Sequence, residues 1–303
     1  MVVSGRANLV CGDTASYGPE WVKLCEGNFI SSADELLSQR CQVKGGGGST
    51  RAHASQLKPR SVHMVQIGAH VGFEKNDPFA KGISAYLKLL TPEEKHQFQW
   101  TFVEPSPPNF ERLQTNIAKH SNMCTMKGVN VGVVSDALDV DTTNGGMPFY
   151  SISESIDPET GYDSRSGKTF PRFITQVSSF SMKPIESNKF VWDRLGLQME
   201  DYVVEEHVTT KRYSDLMRDI LEGTHVEAPF FVLIDTEGFD CDIILGMGRD
   251  TPYLPKYLVF EDNQCGDKKP LADQYLKELG YEVTKMRSTQ NTVAIRKMNN
   301  AAL

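Results

Sequence analysis

Val62-His63-Met64-Val65-Gln66-Ile67-Gly68-Ala69-His70-Val71-Gly72 is a short apolar run that breaks into a loop of small residues. Such a run reads as a buried strand. Glycines at its end let a ligand come close to the backbone, because no side chain stands in the way. The next apolar run, Phe98-Gln99-Trp100-Thr101-Phe102-Val103, is followed at once by Glu104. A carboxylate at the tip of a neighbouring strand is placed to accept hydrogen bonds from a ribose diol. Together the two features imply a nucleoside cofactor at the carboxyl edge of a parallel sheet.

Working outward, short apolar runs alternate with amphipathic segments from Val62 onward. Strands are expected at 62–67, 99–104, 125–134, 230–235, 256–261, 280–286 and 291–297, and helices near 79–90, 107–119, 213–222, 240–246 and 269–279. Alternation of this kind implies βαβ units, right-handed crossovers and a mostly parallel sheet. The last two strands leave no room for a helix, so the turn Ser288-Thr289-Gln290 makes them an antiparallel pair. The alternation is interrupted at 137–207, a stretch rich in aromatics (Phe170, Phe173, Phe180, Phe190, Trp192). An interruption of that length between sheet strands is expected to be a lid or a substrate platform, with a purely structural insertion as the alternative.

Upstream, residues 1–44 read as an arm with one modest helical pattern at 32–40. The run Gly45-Gly46-Gly47-Gly48-Ser49 opens a flexible linker over 45–60. The main domain then spans 61–298.

The chain has 303 residues, a net charge of −7 and apolar and charged fractions of 39% and 23%, ordinary for a globular protein. Without a concentration of Lys and Arg, no nucleic-acid partner is expected. No apolar run approaches the ~20 residues that span a bilayer, and no secretory signal is visible. A cytoplasmic location follows as the expectation. The six cysteines show neither a CxxC pair nor metal-ligand spacing, and no metal site is expected from them. The reading adopted for them is free thiols in a reducing compartment, with a lumenal disulfide in the Cys-rich first 41 residues as the alternative.

Phe230-Phe231-Val232-Leu233-Ile234 has the uninterrupted apolar character of a strand buried on both faces. It delivers Asp235 and Glu237 at its carboxyl end, where neighbouring carboxylates can tune each other and serve as base or positioning groups. Alternatively, Asp235 caps the helix that follows. The next strand ends in Glu261-Asp262-Asn263, and Asp235, Asp262 and Asn263 together could offer oxygens to one magnesium ion. His207, at the end of the insertion, is the candidate titrating group near substrate. The glycine loop lacks the third glycine of GxGxxG and the chain has no GxxxxGK[ST] loop, which disfavours NAD, FAD and nucleoside triphosphates.

In order along the chain, five groups of residues carry a family resemblance. The first is Val65 to Gly72, and the second is Phe102-Val103-Glu104-Pro105-Ser106-Pro107 with Phe110, Leu113 and Asn116. Val129-Asn130-Val131 with Ser135-Asp136 follows, then Tyr213-Ser214-Asp215-Leu216. The last is Ile234-Asp235-Thr236-Glu237-Gly238 with Leu245-Gly246 and Leu258-Val259-Phe260-Glu261. Over 62–297 the chain resembles the FkbM family of S-adenosylmethionine-dependent methyltransferases. The resemblance implies a Rossmann-like class I methyltransferase fold, a mostly parallel seven-stranded sheet with an antiparallel last strand. It also implies methyl transfer from S-adenosyl-L-methionine to an oxygen of a small molecule or glycan. Gly68, Ala69, His70 and Gly72 would line the methionine part of the cofactor, and Glu104 would hold the ribose hydroxyls. Pro105, Asn130, Ser135 and Asp136 complete the cofactor set, the 130–136 loop approaching the adenine. Asp235 and Glu237 would face the reacting centre.

The chain departs from the family at Leu233, where lysine is usual, at His70, where asparagine is usual, and at Asp240, where glutamate is usual. Two other readings stand beside the family one: a magnesium-dependent catechol-type O-methyltransferase using Asp235, Asp262 and Asn263, and, from Leu233 and the absence of an unmistakable base, a non-catalytic cofactor-binding or scaffold protein. An NAD-linked oxidoreductase would need a catalytic Tyr/Lys or His pair that the sequence does not show.

Overall fold

Strand alternation sends Val62 and Met64 to one face of the first strand and Val65 and Ile67 to the other, and all four are buried. A strand apolar on both faces needs helices on both sides, and the architecture supplies them. The computed structural model describes residues 23–27, 29–38, 61–73, 78–138, 146–224, 226–248, 252–286 and 289–297. The seven main strands are β1 (Val62–Ile67), β2 (Phe98–Val103), β3 (Thr125–Val129), β8 (Phe231–Ile234), β9 (Tyr257–Glu261), β10 (Tyr281–Lys285) and β11 (Asn291–Arg296). They form one sheet in the order β10-β11-β9-β8-β1-β2-β3. Every pairing is parallel except those of β11, which runs antiparallel to both of its neighbours. This is the Rossmann-like α/β architecture with an antiparallel last strand.

One face of the sheet is covered by α1 (Phe29–Ser38), α2 (Pro78–Lys88) and α4 (Pro107–Lys119), through Phe29, Ile83 and Leu113 among others. The other is covered by α7 (Tyr213–Leu221), α8 (Asp240–Gly246) and α9 (Lys268–Glu278), through Leu216, Ile243 and Leu276. Helix α1 belongs to the upstream arm, and it is not detached. Phe29 lies 5.0–5.7 Å, ring to ring, from Phe230, Phe231 and Tyr257, and Tyr86 Oη donates to Asp34 Oδ1 at 2.9 Å. It begins three residues before the sequence pattern suggested. The Gly45–Ser49 linker lies outside the described residues.

Three further expectations are corrected. The strand expected over 125–134 is two: β3 stays in the sheet, while β4 (Gly132–Val134) pairs with β7 (Thr210–Arg212). At the break the Asn130 side chain donates to the backbone carbonyls of Glu104 (2.8 Å) and Pro105 (3.0 Å). A short helix not foreseen, α3 (Pro92–Gln97), starts on a capping box in which Thr91 and Glu94 satisfy each other's backbone N–H groups. The free-thiol reading is overturned: Cys241 and Cys265 form a disulfide and Cys25 is also disulfide-bonded, whereas Cys124 is free and buried. Disulfides persist in oxidising surroundings, so the reading of the cysteines as thiols of a reducing compartment falls away.

Within the interruption, β5 (Met147–Ile152) and β6 (Val203–Val208) form an antiparallel pair. Behind them Ile156, Phe170, Ile174, Val191, Trp192 and Tyr202 pack into a separate apolar cluster around the short helices α5 (Lys183–Glu186) and α6 (Phe190–Leu195). Among the described residues, no helix is long and apolar enough to cross a membrane.

Candidate functional site

Strand register brings the chemistry to one level. Ile67 pairs with Val103 and with Ile234, Val103 pairs with Val129, and Ile234 pairs with Phe260. One residue further along, each strand reaches its carboxyl end at Gly68, Glu104, Asn130, Asp235 and Glu261. Ligands of open α/β sheets bind at this edge, and a cavity of about 300 Å³ opens there.

On the β1–β2 side the cavity is lined by Gly68, Ala69, His70, Gly72, Glu104 and Pro105. Gly68 has a first reason to be glycine that is structural: at φ 77°, an added Cβ would fall 1.7 Å from the Asp235 carbonyl oxygen. Glu104 is 2% exposed. The His70 N–H donates to its Oε2 at 2.7 Å and the Ser106 N–H to its Oε1 at 3.0 Å, while Asn109 adds a side-chain hydrogen bond. Burial outweighs these donors and the nearby His70 and raises its pKa to about 7. A carboxylate has about four acceptor sites, so capacity remains for ligand hydroxyls.

On the β8 side Asp235 and Glu237 line the same cavity. Asp235 does not act as the cap of α8. Asp240 holds that loop instead, accepting from the N–H groups of Thr236 and Gly238 (3.2 Å each) and from the Thr236 hydroxyl (2.9 Å). The tightened loop puts Glu237 in the left-handed region at φ 52°. Among the described residues the other non-glycine positions with positive φ are His70 (49°) and Phe73 (53°). Two of the three strained residues therefore line the cavity, and strain of this kind gathers at functional sites. Burial, followed by the charge of Asp240, raises Glu237 to a pKa of about 7, with His70 opposing. Glu261 is pushed up to about 10, by burial first and then by the surrounding carboxylates.

Other expected residues lie elsewhere. Asn130, Ser135 and Asp136 do not line the cavity. Asn130 is engaged as described above, Ser135 Oγ accepts from the Ala137 N–H, and Asp136 accepts from the N–H and hydroxyl of Ser214 at the start of α7. His207 is exposed on β6 opposite Pro148 and is not part of the cavity wall. The suggested magnesium set of Asp235, Asp262 and Asn263 is not brought together. Successive strand residues face opposite ways, and Asp262 points to Lys285, Lys269 and the Thr292 hydroxyl, while Asn263 is exposed. The insertion contributes Phe149, Gln176, Ser178 and Phe180 to the wall. Only Phe180 belonged to the aromatic group noted in the sequence.

No protein-family model matches the chain, and no curated protein matches its sequence. Among solved structures it is similar to a precorrin-6y C5,15-methyltransferase from Geobacter metallireducens GS-15 (12% identity, 78% of this chain and 81% of that one, TM-score 0.32). It is also similar to the METTL16 MTase domain (10%, 98% and 80%, 0.37) and to human methyltransferase 10 domain containing protein (9%, 98% and 96%, 0.33). At these identities and scores the likenesses decide nothing about the chemistry, for which the cavity itself is the guide.

Proposed function

We propose that the chain is an S-adenosylmethionine-dependent methyltransferase, of FkbM type, that methylates a hydroxyl oxygen of a small molecule or sugar. The observation that carries this reading is Glu104. It is a buried carboxylate at the end of β2, fixed by the His70 N–H of the glycine loop, and it faces the same cavity as Asp235 and Glu237.

The residues present fit the cofactor. The Gly68–Gly72 loop offers backbone without side chains at the level of the sheet edge, and Glu104 keeps acceptor capacity for two ribose hydroxyls. Leu233 and Phe79 give part of the wall an apolar surface. S-adenosylmethionine supplies a methyl group already activated by the positive charge on its sulfur. The chain's own residues then have two tasks. Asp235 and Glu237 would position the acceptor hydroxyl, and one of them would take its proton when the methyl passes from sulfur to oxygen and S-adenosylhomocysteine is left. Glu237, with a pKa of about 7, is poised near the working pH of a general base. Positioning alone can lower a barrier by roughly 7–11 kcal/mol, so it outweighs the base's share. Phe149, Gln176, Ser178 and Phe180 form the part of the wall contributed by the insertion and shape the acceptor's place.

Calorimetric titration with S-adenosylhomocysteine, run beside NAD, tests the reading. Micromolar binding of S-adenosylhomocysteine alone is expected. Absence of binding would return the glycine loop to a structural turn and favour a scaffold.

A further inference from the structure

The carboxyl ends of β8 and β9 bring three carboxylates together. One side-chain oxygen from each of Asp235, Glu237 and Glu261 lies within 4.8 Å of one from each of the others. Like charges this close raise each other's energy unless a cation or protons intervene. A second observation comes from Glu261 alone. It is 8% exposed, and its Oε2 is buried without a hydrogen-bond partner. A buried acceptor left empty calls for a partner, and an ion is one of the groups that can meet it.

We propose that Asp235, Glu237 and Glu261 hold one hard divalent cation, magnesium or manganese. The donor set contains only carboxylate oxygens, which suit these ions rather than zinc or copper. The two nearest other carboxylates are already committed. Asp240 accepts three hydrogen bonds from its own loop, and Asp262 is paired with Lys285 and Lys269. Asp235 and Glu237 also line the cavity, so an ion held by them would border it. Ion binding stands by itself, but its use rests on the methyl-transfer reading. There, an acceptor hydroxyl entering an open position is made more acidic, which places the acceptor among compounds that can offer oxygen to a metal.

The test is electron paramagnetic resonance of the full chain, stripped with EDTA and titrated with Mn2+. The expected result is one Mn2+ per chain, displaced by excess Mg2+. Glu261→Gln should weaken it by about tenfold or more, and Asp262→Asn should leave it unchanged. Thermal melts confirm that each variant is folded, and if Glu261→Gln does not fold, the partly exposed Glu237→Gln carries the same comparison. The proposal is overturned by a wild type that binds no stoichiometric Mn2+, by a folded Glu261→Gln with unchanged affinity, or by loss of binding on Asp262→Asn alone. S-adenosylhomocysteine binding in EDTA, on the same samples, separates the two readings. Mn2+ bound without it upholds the ion site and sinks the cofactor reading, and the reverse sinks the ion site.

Discussion

The two walls of the cavity are finished to different degrees. On the β1–β2 wall, both oxygens of Glu104 already accept backbone N–H groups, and Gly68 is locked against the Asp235 carbonyl. On the β8–β9 wall, three carboxylates crowd together and one buried oxygen has no partner, while each wall carries one left-handed non-glycine residue, His70 on the first and Glu237 on the second. The first wall is organised without any ligand, as a binding cradle should be. The second keeps charge unresolved, as reacting centres do. The same sheet edge therefore supports recognition at one strand pair and reactivity at the next.

The sharpest way to break this contrast is Gly68→Ala, which touches both walls. Its Cβ would meet backbone at 1.7 Å in a conformation that alanine resists, and a loss of roughly 4 kcal/mol in unfolding free energy is expected. A denaturant melt close to wild type would show that the loop yields and is no fixed cradle. Next, Asp235→Asn should lower turnover by about a hundredfold or more while the melting temperature stays near wild type. Early melting would instead assign Asp235 a structural role. On the cradle side, Glu104→Ala should weaken S-adenosylhomocysteine binding by roughly 1–3 kcal/mol in calorimetry. Equal affinity in that variant would remove the ribose assignment.

The smallest effect is with pH. Glu104 is raised to a pKa of about 7, so it is protonated below that value and ionised above it. The ionised form accepts ribose hydroxyls better, and affinity should fall as pH drops below about 7, by at most about tenfold per pH unit. Stability runs the other way. A carboxyl whose folded pKa exceeds its unfolded value contributes most below the unfolded value and loses that contribution as pH rises through 7. Glu104→Gln should flatten the binding profile. A profile that persists in the variant would point to Glu237 instead.

Much of the sheet was readable from residue order, because strands buried on both faces leave uninterrupted apolar runs such as Phe230–Ile234. The capping box of α3 is likewise present in the sequence as the T-x-x-E pattern of Thr91 and Glu94. The insertion was opaque for a physical reason. Its aromatics follow no period, and their fates diverge: Phe170 and Trp192 fill a separate core, Phe173 and Phe190 are exposed, and Phe180 packs on Phe149 and Phe239 beside the cavity. His207 was placed near substrate by sequence position, yet alternation along β6 leaves it in solvent.

The sequence by itself determined the mostly parallel sheet, the glycine loop, and the carboxylates at the ends of β2 and β8, because hydrophobic period and breaker residues act within a few positions of the chain. Tertiary structure alone decided the rest. The β8–β9 register set Glu261, and not Asp262, beside Asp235, and β4 left the main sheet to pair with β7. Folding also brought Cys241 to Cys265 across 24 positions. Each of these depends on which strand lies beside which and at what offset. Packing of the whole sheet fixes that choice, and no local pattern encodes it.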